Sequence, residues 1–132
     1  MTEPIYPVEV WTVTEREFSP AVNYRNETTF ALANGSIGTR GTFEEGYDFP
    51  DDVGLDGTFL NGFYDSEEIR YGEWNYGFPT HSQSLLNLPG LKTTEIYLDS
   101  ERLDLRQGRV VDYARTLHLS DGLLTRHFQW TS

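Results

Sequence analysis

Apolar and polar positions alternate with a period of two along most of this chain, and nowhere with a sustained helical period. Met1 to Pro7 is a lead-in arm interrupted by Pro4 and Pro7. Val8 to Glu15 (VEVWTVTE) reads as a strand with Val8 and Val10 on one face and Trp11 and Val13 on the other. Apolar residues on both faces predict a strand covered on both sides, or one that carries a bulge. Phe18 to Arg25 contains Pro20 and reads as a connection. Thr28 to Ala33 and Ser36 to Phe43 then form the arms of a hairpin around Asn34-Gly35, a pair suited to the two positive-φ positions of a type I′ turn. On the second arm Ile37, Thr39, Gly41 and Phe43 point one way, and Ser36, Gly38, Arg40, Thr42 and Glu44 the other.

The second half continues in the same style. Thr58 to Tyr64 is a strand in which Gly62 marks a bulge or a close backbone approach. Asp65 to Pro79 (DSEEIRYGEWNYGFP) interleaves aromatic residues with Gly, Glu and Asn and fits neither period, so it reads as a structured aromatic loop. Such a loop folds back as a lid over its own core, or presents a surface to sugar or another domain. Thr80 to Leu91 reads as an apolar loop plugging one end of a sheet. Thr93 to Leu98 is a strand with Ile96 and Leu98 inward, Asp99 to Glu101 a short loop, and Leu103 and Leu105 continue the alternation. Arg109 to Leu119 is a long strand with Val111, Tyr113, Leu117 and Leu119 on one face. Ser120-Asp121-Gly122 is a turn, and Leu123 to Trp130 pairs back with Leu124, Phe128 and Trp130 on one face. The pattern predicts an all-β chain of antiparallel hairpins, part of a β-sandwich, with residues 1–132 as one domain at most. A strand that runs to the last residues leaves an edge open, which predicts a fragment of a longer protein that self-associates through such edges.

Composition narrows the function classes. The chain has 132 residues, 37% hydrophobic but 14% aromatic, so its core is thin and carried by rings. A net charge of −11 repels phosphate backbones and offers nothing to an anionic membrane, so neither nucleic acid nor membrane is expected as a partner. There is no cysteine, hence no disulfide, thiol nucleophile or thiolate metal site. The N-terminal residues lack the basic and apolar regions of a signal peptide, and a cytoplasmic location is the expectation.

The candidate chemistry is sparse. Asp48, Asp51, Asp52 and Asp56 lie in a turn-rich acidic stretch but lack the EF-hand spacing for calcium. His118 and His127 sit on the terminal hairpin, where they could face each other, and His81 in a loop, but spacing supplies no further zinc ligands. Gly35-Ser36-Ile37-Gly38 is no nucleophile elbow, and GSIGTRG lacks the lysine and following helix of a phosphate loop. The carboxylate doublets Glu44-Glu45, Asp51-Asp52 and Glu67-Glu68 point to opposite faces of a strand, so none is itself an acid/base pair. Arg40, on a face of small residues, is placed to pair with Glu44 or with a carboxylate or phosphate from elsewhere. Tyr71, Trp74 and Tyr76 are candidate stacking platforms. Arg40, Glu44, Tyr71, Trp74 and Tyr76 are therefore the substrate-proximal candidates. No metal, no cofactor and no catalytic residue is expected in this chain.

Several short motifs, in order, carry a family resemblance. They are Asn26-Glu27-Thr28, Phe30-Ala31-Leu32, Asn34-Gly35, Gly38-Thr39-Arg40-Gly41, and Gly57 with Leu60-Asn61-Gly62-Phe63-Tyr64. Tyr76-Gly77-Phe78-Pro79, Asn87-Leu88-Pro89, Tyr113-Ala114-Arg115 to Leu119, and Gly122-Leu123-Leu124 to Trp130-Thr131-Ser132 follow. The chain resembles the N-terminal domain of glycoside hydrolase family 65, which includes inverting phosphorylases of maltose, trehalose, kojibiose and related α-glucosides. Ser36 departs from the bulky residue expected after Asn34-Gly35. The resemblance implies a large antiparallel β-sandwich followed by an (α/α)-barrel that holds the catalytic glutamate and the phosphate site. It also implies that residues 1–132 are one partial, non-catalytic domain lacking the barrel, in a homodimeric parent with inorganic phosphate as co-substrate. The implied partners of this chain are its own barrel, a second copy, and a disaccharide at the domain edge. A stand-alone carbohydrate-binding sandwich is the alternative reading.

Overall fold

A computed structural model describes residues 5–46 and 54–132. The acidic stretch of the calcium reading lies mostly outside these residues, with Asp56 alone inside. The strands in chain order are β1 (Thr12–Glu15), β2 (Leu32–Ala33), β3 (Ile37–Thr39), β4 (Thr58–Glu68), β5 (His81–Asn87), β6 (Tyr97–Leu98), β7 (Glu101–Arg102), β8 (Arg109–His118) and β9 (Leu123–Thr131). All pairings are antiparallel, in sheets ordered β1-β8-β9, β2-β3-β4-β5 and β6-β7. The all-β class expected from the period-two pattern is the class observed.

One element breaks the pattern. After a single 3-10 turn at Pro20–Val22, residues Asn23–Thr29 form a short helix, α1, where the sequence suggested a connection and the start of a hairpin arm. Its buried residues are Asn23, Asn26 and Glu27, all polar, so hydrophobic periodicity carries no sign of it. The hairpin that follows is shorter than expected. Asn34 N–H donates to the Ile37 carbonyl (3.1 Å), and Gly35 has φ of 86°, so glycine occupies the first central position of a type II′-like turn. The Asn34 side chain accepts from Ser36 N–H (3.0 Å) and Ile37 N–H (2.9 Å), filling the capping role that asparagine takes in such turns. The positive-φ pair of a type I′ turn occurs instead at Asp99 and Ser100, which join β6 to β7.

The first strand is shorter than its β-rich run. Trp11 adopts a φ of 65°, extended pairing begins at Thr12, and Val8, Val10 and Trp11 are exposed rather than covered. Gly62 (φ 83°) lies in the β4–β5 register shift between Phe59 and Tyr64, as expected of a bulge. Beyond it β4 continues to Glu68, and β5 replaces the expected plug. The two strands make a long two-stranded arm whose side chains beyond Asn61 are almost all exposed. The aromatic loop sits at its tip, remote from the core, so the lid reading does not hold. Ile96 and Leu98 are also exposed, because β6 and β7 pair only with each other.

The core lies on one face of β8 and β9. Phe43, Leu105 and Tyr113 form a buried cluster onto which Phe18, Val110, Phe128 and Trp130 pack. Asp112 has φ of 52° at a bulge between Val111 and Ala114. This extra residue changes the facing of β8, so Val110 rather than Val111 packs on the core. Leu119 lies past the end of β8 and is exposed.

Candidate functional site

The most concentrated chemistry lies inside the body. Arg115 and Arg126 occupy inward positions of β8 and β9, in Tyr113-x-Arg115-x-Leu117 and Leu124-x-Arg126-x-Phe128. The Arg115 guanidinium lies 4.5 Å from the Phe30 ring centre and 4.9 Å from that of Phe43. Arg126 lies 4.3 Å from Phe43 and 5.1 Å from Phe128. The result is a ladder in which three rings alternate with two cations. Each such contact contributes about 0.5–2 kcal/mol, more where water is excluded.

Every cation of the ladder has a carboxylate. Arg115 is 1% exposed and donates through Nε to Glu15 Oε2 (2.8 Å) and through Nη1 to the Gly41 carbonyl (2.7 Å). Glu15 also accepts from the Tyr113 hydroxyl (3.0 Å) and from the Asn26 amide. Burial raises the Tyr113 pKa, so the phenol stays a donor. Arg126 pairs with buried Glu45 and with half-exposed Glu44 (3.2 Å). Glu27 is fully enclosed; its Oε2 accepts from Leu55 N–H (2.9 Å) and Arg40 Nη2 (3.4 Å), and its Oε1 from the Asn23 amide (3.1 Å). At such depth a lone charge costs several kcal/mol, and pairing offsets that cost.

Arg40 is held on all sides. Besides Glu27 it donates to the Leu55 carbonyl (2.8 Å), Thr28 Oγ1 (3.0 Å) and the Tyr24 carbonyl (3.1 Å). It therefore clamps α1 to the segment after β3. Its carboxylate partner is Glu27 rather than Glu44, because β3 ends at Thr39 and the strand alternation that put Arg40 beside Glu44 ends with it. Gly41 permits this closeness, since a Cβ there would lie 2.7 Å from the Phe30 carbonyl oxygen. Lys92 Nζ donates to the Arg40 (2.8 Å) and Thr42 (2.7 Å) carbonyls, and burial lowers its pKa. Asp104 is buried too. Burial opposes its ionisation, but hydrogen bonds from the Arg106 side chain and backbone outweigh that and lower its pKa.

The second candidate is the arm tip. The Tyr71 and Phe78 rings pack at a tilt of 46° with centres 4.9 Å apart, and the Tyr71 hydroxyl donates to the Pro79 carbonyl (2.9 Å). Phe78 N–H donates to the Asn75 carbonyl (3.2 Å) and Tyr76 N–H to the Asn75 side chain (2.8 Å). This small platform leaves Trp74 67% and Tyr76 94% exposed. Tyr71 thus supports the loop from below, while Trp74 and Tyr76 are presented. The five sequence candidates do not meet: Arg40 and Glu44 belong to the body, Tyr71, Trp74 and Tyr76 to the tip.

The histidines do not meet either. His118 pairs with Leu123 and His127 with Ala114 along the β8–β9 ladder. Among the described residues no group of three or more His, Asp or Glu side chains is placed to hold a metal ion. Sequence reading missed Glu15, Glu27, Glu45, Arg115, Arg126 and Lys92. The available signal was an arginine at an inward position of each of two adjacent strands, which an apolar count passes over.

With this geometry in view, the comparisons fall into one group. The family model described as glycosyl hydrolase family 65, N-terminal domain, matches residues 13–132. An α,α-trehalose phosphorylase of Thermoanaerobacter brockii is 46% identical over 130 residues, covering 98% of this chain and 17% of that protein. A maltose phosphorylase of Bacillus subtilis strain 168 is 27% identical over 126 residues, covering 96% and 16%. A solved structure from the human microbiome, provisionally described as a kojibiose phosphorylase, superposes with a TM-score of 0.82 at 28% identity, covering 96% of this chain and 16% of that one. The chain spans about a sixth of the length of these relatives.

Proposed function

Because this chain belongs to glycosyl hydrolase family 65, as its N-terminal domain, we propose that it is the supporting β-sandwich portion of an inverting α-glucosidic disaccharide phosphorylase. The parent would cleave its disaccharide with inorganic phosphate, yielding a sugar 1-phosphate and glucose. The chemistry would reside in a following (α/α)-barrel. This chain's part would be to pack against that barrel and contribute to a homodimer, in the cytoplasm, with Trp74 and Tyr76 at the edge of the active-site mouth. One observation carries the non-catalytic reading. The buried carboxylates Glu15, Glu27, Glu45 and Asp104 each have an arginine partner. A general acid needs a carboxyl open to substrate, whereas these four are enclosed and engaged by structural partners.

The test compares this chain with the longer polypeptide encoded by its reading frame. The longer protein is expected to release glucose from trehalose, maltose or kojibiose only when phosphate is present, and the 132-residue chain to release none. Glucose release by the chain alone from maltose without phosphate would sink the reading in favour of an independent hydrolase. A second reading, a carbohydrate-binding module, is favoured by the presented rings of Trp74 and Tyr76. It requires saturable quenching of tryptophan fluorescence by maltose, abolished by Trp74→Ala.

A further inference from the structure

A cavity of about 700 Å³ lies in the body where Arg16–Phe18 pass the start of β8. Pairing of β1 with β8 ends at Glu15 and Arg115. Beyond that point the chain diverges through Arg16, Glu17 and Phe18, and β8 runs on to Arg109 with β9 on one side only. The slot between them is floored by Leu105, Val110, Tyr113 and the Phe18 ring. One wall is therefore the open edge of a strand, which offers backbone N–H and C=O groups.

Two features separate this slot from a packing defect. The first is its rim. Arg16, Glu17, Arg106 and Asp112 stand around an aromatic and aliphatic floor; Arg16 is paired with Glu9 and Arg106 with Asp104, which leaves Glu17 and Asp112 as the acceptors of the rim. Carboxylate acceptors beside an aromatic ring suit a ligand that carries hydroxyl donors and disfavour an anion. The second is Asp112, which holds φ at 52° in the bulge that interrupts the β8–β9 ladder. Aspartate tolerates the left-handed region better than most residues, and the extra residue of the bulge puts Asp112 on the lining of the slot. The Asp112 Oδ2 atom accepts from Gln129 Nε2 (2.9 Å), which fixes the carboxylate.

We propose that this slot is a binding site for a neutral pyranose sugar, separate from the arm tip. The apolar C–H face of the ring would lie on Phe18, and hydroxyls would donate to Glu17 and Asp112 and exchange hydrogen bonds with the open β8 edge. Mono- or disaccharides suit the volume, since small-molecule pockets fall at about 300–1,000 Å³. The inference does not depend on the phosphorylase reading, because it concerns binding by this chain alone.

The test is titration of the isotope-labelled 132-residue chain with glucose and maltose, followed by amide chemical shifts. Saturable shifts are expected at Phe18, Gly108, Asp112 and Tyr113, with Trp74 and Tyr76 unmoved. Asp112→Gly relieves the backbone angle and removes the carboxylate, so it should leave the fold at least as stable while weakening binding about tenfold. Glu17→Gln, at an exposed position, should weaken it several-fold without touching the fold. No saturable shift at the slot with either sugar overturns the proposal. So does unchanged affinity in both variants, or saturation by inorganic phosphate in place of sugar. Shifts confined to the tip would refute the slot and support the tip module.

Discussion

The body and the arm of this molecule solve opposite problems with similar residues. In the body, charged side chains are buried and aromatic rings are used up in contact with them: Phe30, Phe43 and Phe128 lie against Arg115 and Arg126. In the β4–β5 arm, aromatic side chains stand in solvent, and the arm's contacts run chiefly between its own two strands. The body is held by pairing, since Arg115 and Arg126 each meet a buried carboxylate. The arm is held by backbone pairing and one tilted pair of packed rings, so its outward residues are free to serve contacts rather than folding.

The largest effect that could break this contrast is loss of a ladder cation. Arg115→Met strands Glu15 in the interior and is expected to cost about 3–5 kcal/mol in urea unfolding. Adding Glu15→Gln should restore a large part of it; failure of the double variant to recover would show that ring packing, not charge pairing, dominates. A smaller effect is confined to acid. Asp104 has a lowered folded pKa, so its contribution is present above the unfolded carboxylate range and is lost as pH falls through the folded value. Asp104→Asn should therefore lower stability at neutral pH and flatten the acid limb of the stability profile. A variant with the same acid limb as the parent would deny Asp104 that part. The smallest effect belongs to the arm: Trp74→Ala should change unfolding stability by no more than about 0.5 kcal/mol. A loss of several times that would mean the tip is structural after all.

What the sequence disclosed follows from this division. The strands with apolar inward positions, β8 and β9 above all, were legible because period-two alternation reports burial when the buried residues are apolar. Helix α1 was not, because Asn23, Asn26 and Glu27 form its buried side and pattern reading treats them as solvent-facing. Arg115 and Arg126 were hidden for the same reason. Turns were located well but typed poorly: Asn34-Gly35 occupies a turn, yet the asparagine flanks it and caps it, so one residue of offset changes the type. Of the candidate site, the rings at Trp74 and Tyr76 were visible as an irregular aromatic run. The slot at Phe18 was not, because it depends on where β1 stops pairing, and that is set by contacts far apart in the chain.

Helix α1 has one further consequence, for production of the protein. Asn26-Glu27-Thr28 spells an acceptor sequence for N-linked glycosylation. The folded protein encloses that asparagine, 1% exposed, with its amide donated to Glu15 and its carbonyl oxygen accepting from the Tyr6 hydroxyl (2.7 Å). A glycan attached there during secretion by a eukaryotic host would arrive before the helix could dock, and the chain could not then close around it. Expression through such a route should yield misfolded glycoprotein, and Thr28→Ala, which erases this acceptor together with one Arg40 hydrogen bond and leaves only the exposed turn acceptor Asn34-Gly35-Ser36, should restore the yield.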